Sequence, residues 1–340
     1  MHARSSRIVV GTVALLVSAT ASAWGPDGHH TVGALADRLI AGSNAAAQVT
    51  ALLGGLSLQQ AAVWADCAKG VDPSKGFAYT SAGVYPECKL FETPAGEAEM
   101  VDFVKRNDTN CARIPGDESC HKQYHYSDEA IQRDIYHLGD VGTRSFDVVG
   151  AVAATTHVLE GDPAPAPFDI KDKREALLLL AHYAGDIHQP LHVGAVYLNA
   201  AGMQVDPDSG AFGPATGTVG ANDIVTVSGK KKTRGANLHY TWDQIPANLK
   251  VGKIDAVWLA EAKAIPATPG AVYAWPTVWA TDSLGQAQAA FAGLTFGAES
   301  QGLWTVALPP AYPAQMAQIK RRQLTEGGAR LAQLLQAIWP

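Results

Sequence analysis

Only four cysteines occur in 340 residues, and only 17% of the chain is charged. Beyond the N-terminal segment no apolar run is long enough to cross a bilayer, which excludes an integral membrane protein with helical spans. A Gly-rich phosphate loop is missing, and strands do not alternate with helices. Those absences exclude the usual dinucleotide and nucleoside-triphosphate folds. No internal repeat is visible, so a solenoid or propeller is excluded. Positive charge is also scarce: 26 Lys and Arg stand against 32 Asp and Glu, for a net charge of −6. An acidic chain is a poor nonspecific binder of polyanions. An anionic substrate would need a local source of positive charge.

The N-terminus is distinctive. Arg4 and Arg7 precede the apolar run Ile8 to Val17, and Ala21-Ser22-Ala23 offers small residues for cleavage. This predicts a secretory signal peptide over 1–23 and a single domain over 24–340, the mature chain starting at Trp24. The run is too short and interrupted to serve as a membrane anchor. Cleavage removes two arginines and no acid, so 26 basic residues become 24 against 32 acidic ones and the net charge moves from −6 to −8. A periplasmic or secreted protein meets oxidising conditions, which favour disulfides over zinc-thiolate sites. Cys67, Cys88, Cys111 and Cys120 allow three pairings, and short loops favour Cys67–Cys88 with Cys111–Cys120.

Most of the periodic segments read as helices. GHHTVGALADRLIAG (28–42) has apolar spacing at Val32, Leu35, Leu39 and Ile40, and SFDVVGAVAATTHVLEG (145–161) stops at Gly161. Asp169 or Asp172 can cap the helix that carries Leu177 to Asp186, which Pro190 ends. A last long helix is expected near 311–337. Strand signals are few; NDIVTVSG (222–229) is the best and reads as one arm of a small hairpin. The expected fold is therefore mainly α, with long loops at 66–96, 107–120 and 193–236. The last of these contains KKKTR (230–234), a solvated turn or a phosphate contact.

Chemistry concentrates in AHYAGDIHQPLH (181–192). His182 and Asp186 lie four apart, on one face of an apolar helix. A buried charge there needs a partner. A local His–Asp hydrogen bond would serve, but the rest of the chain favours a metal. His192 follows after a turn, NLHYTWD (237–243) repeats the i, i+4 pair with His239 and Asp243, and His29, Asp66, His125 and Asp128 stand in WGPDGHH, VWADC and YHYSD. Nitrogen and oxygen donors with few thiolates suit zinc. His188 does not share the face of the i, i+4 pair and reads as a supporting residue. His30, His121, His137 and His157 fit no ligand pattern.

The ordered set WGxxGH, WADxxK, HYxD, HxxxDIHQPLH and NLHxxWD resembles the zinc-dependent single-strand nucleases of the S-one/P-one type, which share a mainly helical fold with the zinc phospholipases C. The motifs cover roughly residues 24 to 245; beyond them only helical character and the turn Pro309-Pro310-Ala311-Tyr312 match. The resemblance implies three Zn²⁺ ions. Asp66, His125, His182 and Asp186 would hold the first, and His192, His239 and Asp243 the second. His29, Asp186 and the backbone amine and carbonyl of Trp24 would hold the third. It implies catalytic roles for Asp66 and Asp186 at the metals, and substrate contacts by Lys69, Tyr126, Asp128 and Asn222, Tyr126 stacking on a base and Asp128 accepting from its edge. The implied activity is endonucleolytic hydrolysis of single-stranded DNA and RNA to 5′-phosphorylated products, with 3′-nucleotidase activity, by a monomer without a membrane anchor. The rival readings are a phospholipase C on the same scaffold and a periplasmic zinc-binding protein without catalysis. Two features depart from the family: its GGN is GAN here (Gly220-Ala221-Asn222), and the stretch from Gly194 to Arg234 is longer.

Overall fold

A computed structural model describes residues 24–114, 116–226 and 237–340. The expected signal peptide and the lysines of 230–232 lie outside the described residues. Helices account for most of the regular structure. In chain order they are α1 (Pro26–Ile40), α2 (Asn44–Leu53), α3 (Leu58–Ala61), α4 (Trp64–Ala68), α5 (Pro94–Arg106), α6 (Cys120–Gln123), α7 (Val148–Glu160), α8 (Lys173–Asp186), α9 (Leu238–Asp243), α10 (Ala256–Lys263), α11 (Trp275–Phe291) and α12 (Tyr312–Ile338). The fold is mainly α, as the sequence predicts.

Local chemistry sets the ends of the central helices. Asp147 caps α7 by accepting from the N–H groups of Val149 and Gly150, and Gly161 closes it at φ 109°. Of the two candidates for the cap of α8, Asp172 fills the position, accepting from Glu175 N–H. This satisfies backbone donors that a helix end leaves without a partner. α8 is buried from Glu175 to Asp186. It is packed by α7 on one side and by α1, α3, α4 and α12 on others, so its whole circumference faces protein. That explains the apolar run: a helix without a solvent face shows no amphipathic stripe.

The sheets are small. β1 (Val71–Asp72) and β2 (Ala78–Tyr79) form an antiparallel hairpin, β3 (Glu129–Ala130) pairs in parallel with β4 (Gly194–Ala195), and β5 (Ile224–Thr226) pairs in parallel with β6 (Trp304–Val306). The strand expected within 222–229 exists, and among the described residues its Val225 makes one antiparallel bridge to Asn237. Its ladder partner lies eighty residues on, opposite Trp304↔Ile224, a pairing no local pattern encodes. A described antiparallel hairpin lies at 71–79. The β3–β4 pair has a direct effect on the site: it draws the HYSD segment against the segment after Pro190. Ser127 N–H donates to His192 O at 2.7 Å, and Glu129 N–H to Val193 O at 3.0 Å.

Both disulfides favoured by loop length are present, Cys67–Cys88 and Cys111–Cys120. Closing loops of 21 and 9 residues stabilises the fold by about 3 kcal/mol each in the chain-entropy account. Among the described residues no helix is long and apolar enough to cross a membrane.

Candidate active site

The imidazoles and carboxylates singled out from the sequence converge. His182 and Asp186 project from the end of α8, with Nε2 to Oδ2 at 3.1 Å. His125 follows α6 and brings Nδ1 to 2.9 Å from Asp186 Oδ2 and to 3.0 Å from His182 Nε2. Asp66, in α4, lies 3.7 Å from His182 Nε2 and 3.9 Å from His125 Nδ1. From α1, His29 reaches Asp186 Oδ1 at 3.4 Å and stacks on His182 with ring centroids 3.8 Å apart. Beside them, His192 Nε2 and His239 Nε2 approach to 3.1 Å, and Asp243 lies 3.9 and 3.5 Å from those two nitrogens. The ligand atoms fall into three sets able to hold an ion: His29 with Asp66 and His182, His125 with His182 and Asp186, and His192 with His239 and Asp243. Asp186 also lies 3.8 Å from His192, so the sets are continuous.

The protein orients these rings by their other nitrogens. His182 Nδ1 donates to Ala62 O at 2.6 Å, His192 Nδ1 to His125 O at 2.8 Å and His239 Nδ1 to Gly220 O at 2.6 Å. Each bond fixes the proton on Nδ1 and turns Nε2 toward the cluster. Gln189 Nε2 donates to Asp243 Oδ1 at 2.8 Å. Gly185 is required for space: a Cβ there would lie 2.6 Å from His29 Nδ1. Trp24 is fully buried, and Gly25 N–H donates to Asp243 O at 2.9 Å, which ties the segment ahead of α1 to the end of α9.

The electrostatics fit cations. Burial lowers the pKa of His29 to about 3 and of His182 to about 4, and holds His125 and His192 well below the usual histidine range. The rings are therefore neutral, as ligands must be. Burial pushes Asp186 and Asp243 well above the carboxylate range. Burial acts on Asp66 in the same sense, but Lys69, His182 and His29 together hold its carboxyl below the usual value; Lys69 Nζ lies 2.7 Å from Asp66 Oδ1. Among the described residues neither ring nitrogen of His29, nor Asp186 Oδ1, has a hydrogen-bond partner. Buried polar atoms of this kind call for an unseen partner. The donor set, all nitrogen and oxygen, suits zinc.

His192 and His239 also line a cavity of about 670 Å³. Tyr126, Asp128 and Asn222 line it too, so all three base-contact candidates share one chamber with the second metal set. Burial raises Asp128 to about 6. Asn222 Nδ2 donates to Val219 O at 3.0 Å, and its Oδ1 accepts from Asn237 at 3.1 Å. Sequence reading missed Arg144, Tyr197 and Val219, which line the same cavity. Gln189, which supports Asp243, was missed as well. His188 stands apart from the three sets: its Nδ1 donates to Ala184 O at 2.7 Å and its Nε2 accepts from Arg330 at 3.2 Å. His30 bonds Gln59 O, His137 pairs with Asp140 at the surface, His157 stacks on Tyr273 and His121 is buried against Phe103.

A helical frame that gathers buried histidines and aspartates at one end of an aromatic-walled cavity defines a hydrolase that works on a phosphate ester. The S1/P1 nuclease family model matches residues 24–340, and the chain belongs to that family. It is a nuclease acting on nucleic acid. No curated protein sequence matches the chain.

Proposed function

We propose that this chain is a zinc-dependent endonuclease that hydrolyses single-stranded DNA and RNA to 5′-phosphorylated products and also removes 3′-phosphates from nucleotides. The observation that carries the reading is the sharing of His192 and His239 between a metal set and the cavity that holds Tyr126 and Asp128. A base seated in that cavity brings its phosphate to the cluster. Asp66, His125, His182 and Asp186 would hold one zinc, and His192, His239 and Asp243 a second. His29 and Asp186, with the freed amine and carbonyl of Trp24, would hold a third. When bound, zinc supplies Lewis acidity, which makes water acidic near neutral pH and offsets charge on phosphate oxygens.

The chain's own residues do the rest. Asp186 sits where two sets meet and fixes their spacing. Lys69, held by Asp66, places a cation beside the scissile phosphate. Tyr126 stacks on the base, while Asp128 and Asn222 hold its edge. A duplex keeps its bases paired and stacked, so only a single strand can fill the cavity. The paired cysteines and the expected leader suit a periplasmic or secreted monomer.

The test is digestion of single-stranded DNA, RNA and duplex DNA by the purified chain, with and without zinc, alongside metal analysis and a phosphocholine lipid as control. Zinc-dependent cutting of single strands, with an ion for each of the three sets, is the expected result. Release of phosphocholine without cutting of either nucleic acid would overturn the reading.

A further inference from the structure

The cavity beside the cluster has acidic walls. Asp117, Glu118, Asp128, Asp140, Asp147 and Asp223 line it, and Arg144 is the only lysine or arginine among the described lining residues. Such walls disfavour groups that only accept hydrogen bonds and favour a neutral ring edge rich in N–H donors.

Arg144 is firmly placed. Its backbone N–H donates to Asp147 Oδ2 at 3.2 Å, and its guanidinium lies 5.6 Å from the Phe146 ring centre. The Asp117 carboxylate grips it end-on, with Nη1 to Oδ2 at 3.0 Å and Nη2 to Oδ1 at 3.3 Å. Asp117 belongs to the short loop closed by Cys111–Cys120. On the other side, Gly142 O accepts from Asp128 N–H at 3.0 Å. Gly142 has φ 96°, and a Cβ there would lie 2.0 Å from Asp128 O, so no other residue fits. Arg144 and Asp128 therefore stand on two segments that are bonded together, and both face one chamber. The guanidinium is near enough to favour the ionised Asp128 carboxylate.

We propose that this cavity selects guanine, with Arg144 and Asp128 reading the base edge jointly; the inference rests on the nuclease reading above. Guanine places a carbonyl acceptor, O6, beside the donors N1–H and N2–H. The N–H groups of Arg144 that Asp117 does not use donate to O6, and the Asp128 carboxylate accepts from N1–H and N2–H. Adenine turns the N1 lone pair toward the carboxylate. Cytosine offers only its N4 donor, and thymine or uracil a single N–H between two carbonyls. With six carboxylates around the chamber and one guanidinium, the donor-rich edge is the one that fits.

Sequencing of product ends after limited digestion of a random-sequence single-stranded DNA tests this. Guanine should be enriched at one fixed position beside the cut. Arg144→Gln should reduce the ratio of guanine to the other bases roughly tenfold, the worth of one hydrogen bond from a charged donor. Arg144→Lys keeps the charge but not the planar fork that Asp117 holds in place, and should lose most of the preference as well. Asp128→Asn, whose amide is complementary to adenine, should move enrichment from guanine toward adenine. It also serves if the arginine variants fail a thermal-melting check. Cleavage of single strands without base bias, or an equal loss at every base in Arg144→Gln, would overturn the proposal alone. Failure of the unaltered chain to cut any nucleic acid would overturn the nuclease reading together with it.

Discussion

At the scale of single residues, the distinction between Asp186 and His188 is the sharpest test of the site. The two are neighbours in sequence, equally buried, and part of one motif. Asp186 approaches His29, His125, His182 and His192, whereas both nitrogens of His188 are already used by Ala184 and Arg330. Asp186→Asn is therefore expected to lose most zinc and at least 100-fold in activity, more than the roughly 10- to 100-fold that follows loss of a group merely supporting a ligand. His188→Ala should lower stability by roughly 1–3 kcal/mol, since Arg330 Nη1 loses its acceptor while Nη2 keeps Asp282, and retain zinc. Metal analysis of the two purified variants decides; equal zinc loss would contradict the assignment. A second residue stands out by its backbone. Val219 has φ 52°, half of its side chain is exposed, and it lines the cavity. A β-branched residue in this region is strained by about 1–2 kcal/mol. Such strain accumulates where function fixes the chain. Val219→Gly is expected to raise unfolding stability by about 1 kcal/mol while raising KM on single strands, as shown by denaturant titration and steady-state kinetics.

At the scale of elements, local signals separate what the sequence makes legible from what only the fold reveals. His182 with Asp186 and His239 with Asp243 were legible because a helix turns i, i+4 spacing into one face. The limits of α7 were legible because Asp147 and Gly161 are local signals. Arg144 and Val219 were not, because pairings with other segments bring them to the site: Asp128 N–H donates to Gly142 O beside Arg144, and Thr218 Oγ1, beside Val219, donates to Val196 O. The role of α12 was hidden for the same reason. Its sequence says only that it is a long helix. In the fold, Lys320 Nζ donates to Thr241 O at 2.8 Å and to Gln244 O, carbonyls at the end of α9. Three residues on, Gln323 Nε2 donates to His188 O and Ser283 Oγ, and Arg330 meets His188. One helix thus supports both ligand-bearing segments from below. Lys320→Met would leave buried carbonyls without a donor beside Asp243. The expected results are a loss of about 2–3 kcal/mol and roughly 10- to 100-fold weaker zinc at the set formed by His192, His239 and Asp243. Zinc retained after dialysis at graded chelator strength reads the second effect, and retention equal to that of the unaltered chain would refute it.

For the whole molecule, the cluster is a stability term as well as a reactive centre. Carboxylates and imidazoles from α1, α4, α8 and α9 meet where water is excluded, and burial pushes Asp186 and Asp243 toward protonation. A cation that binds the folded chain alone stabilises it by about 4 kcal/mol per ion at a thousandfold excess over Kd. Chelation should therefore lower the thermal midpoint as well as abolish activity, and zinc should restore both; an unchanged midpoint would show that the cluster is satisfied without metal. The closure between Gly25 and Asp243, reinforced by the Thr31 to Leu249 bond across 218 residues, also has a consequence in time. At about 5–20 residues per second of synthesis, the two halves of that contact emerge roughly ten to forty seconds apart. Late in this interval His192 waits for His239 and Asp243, so the set those three residues form is the last to be completed.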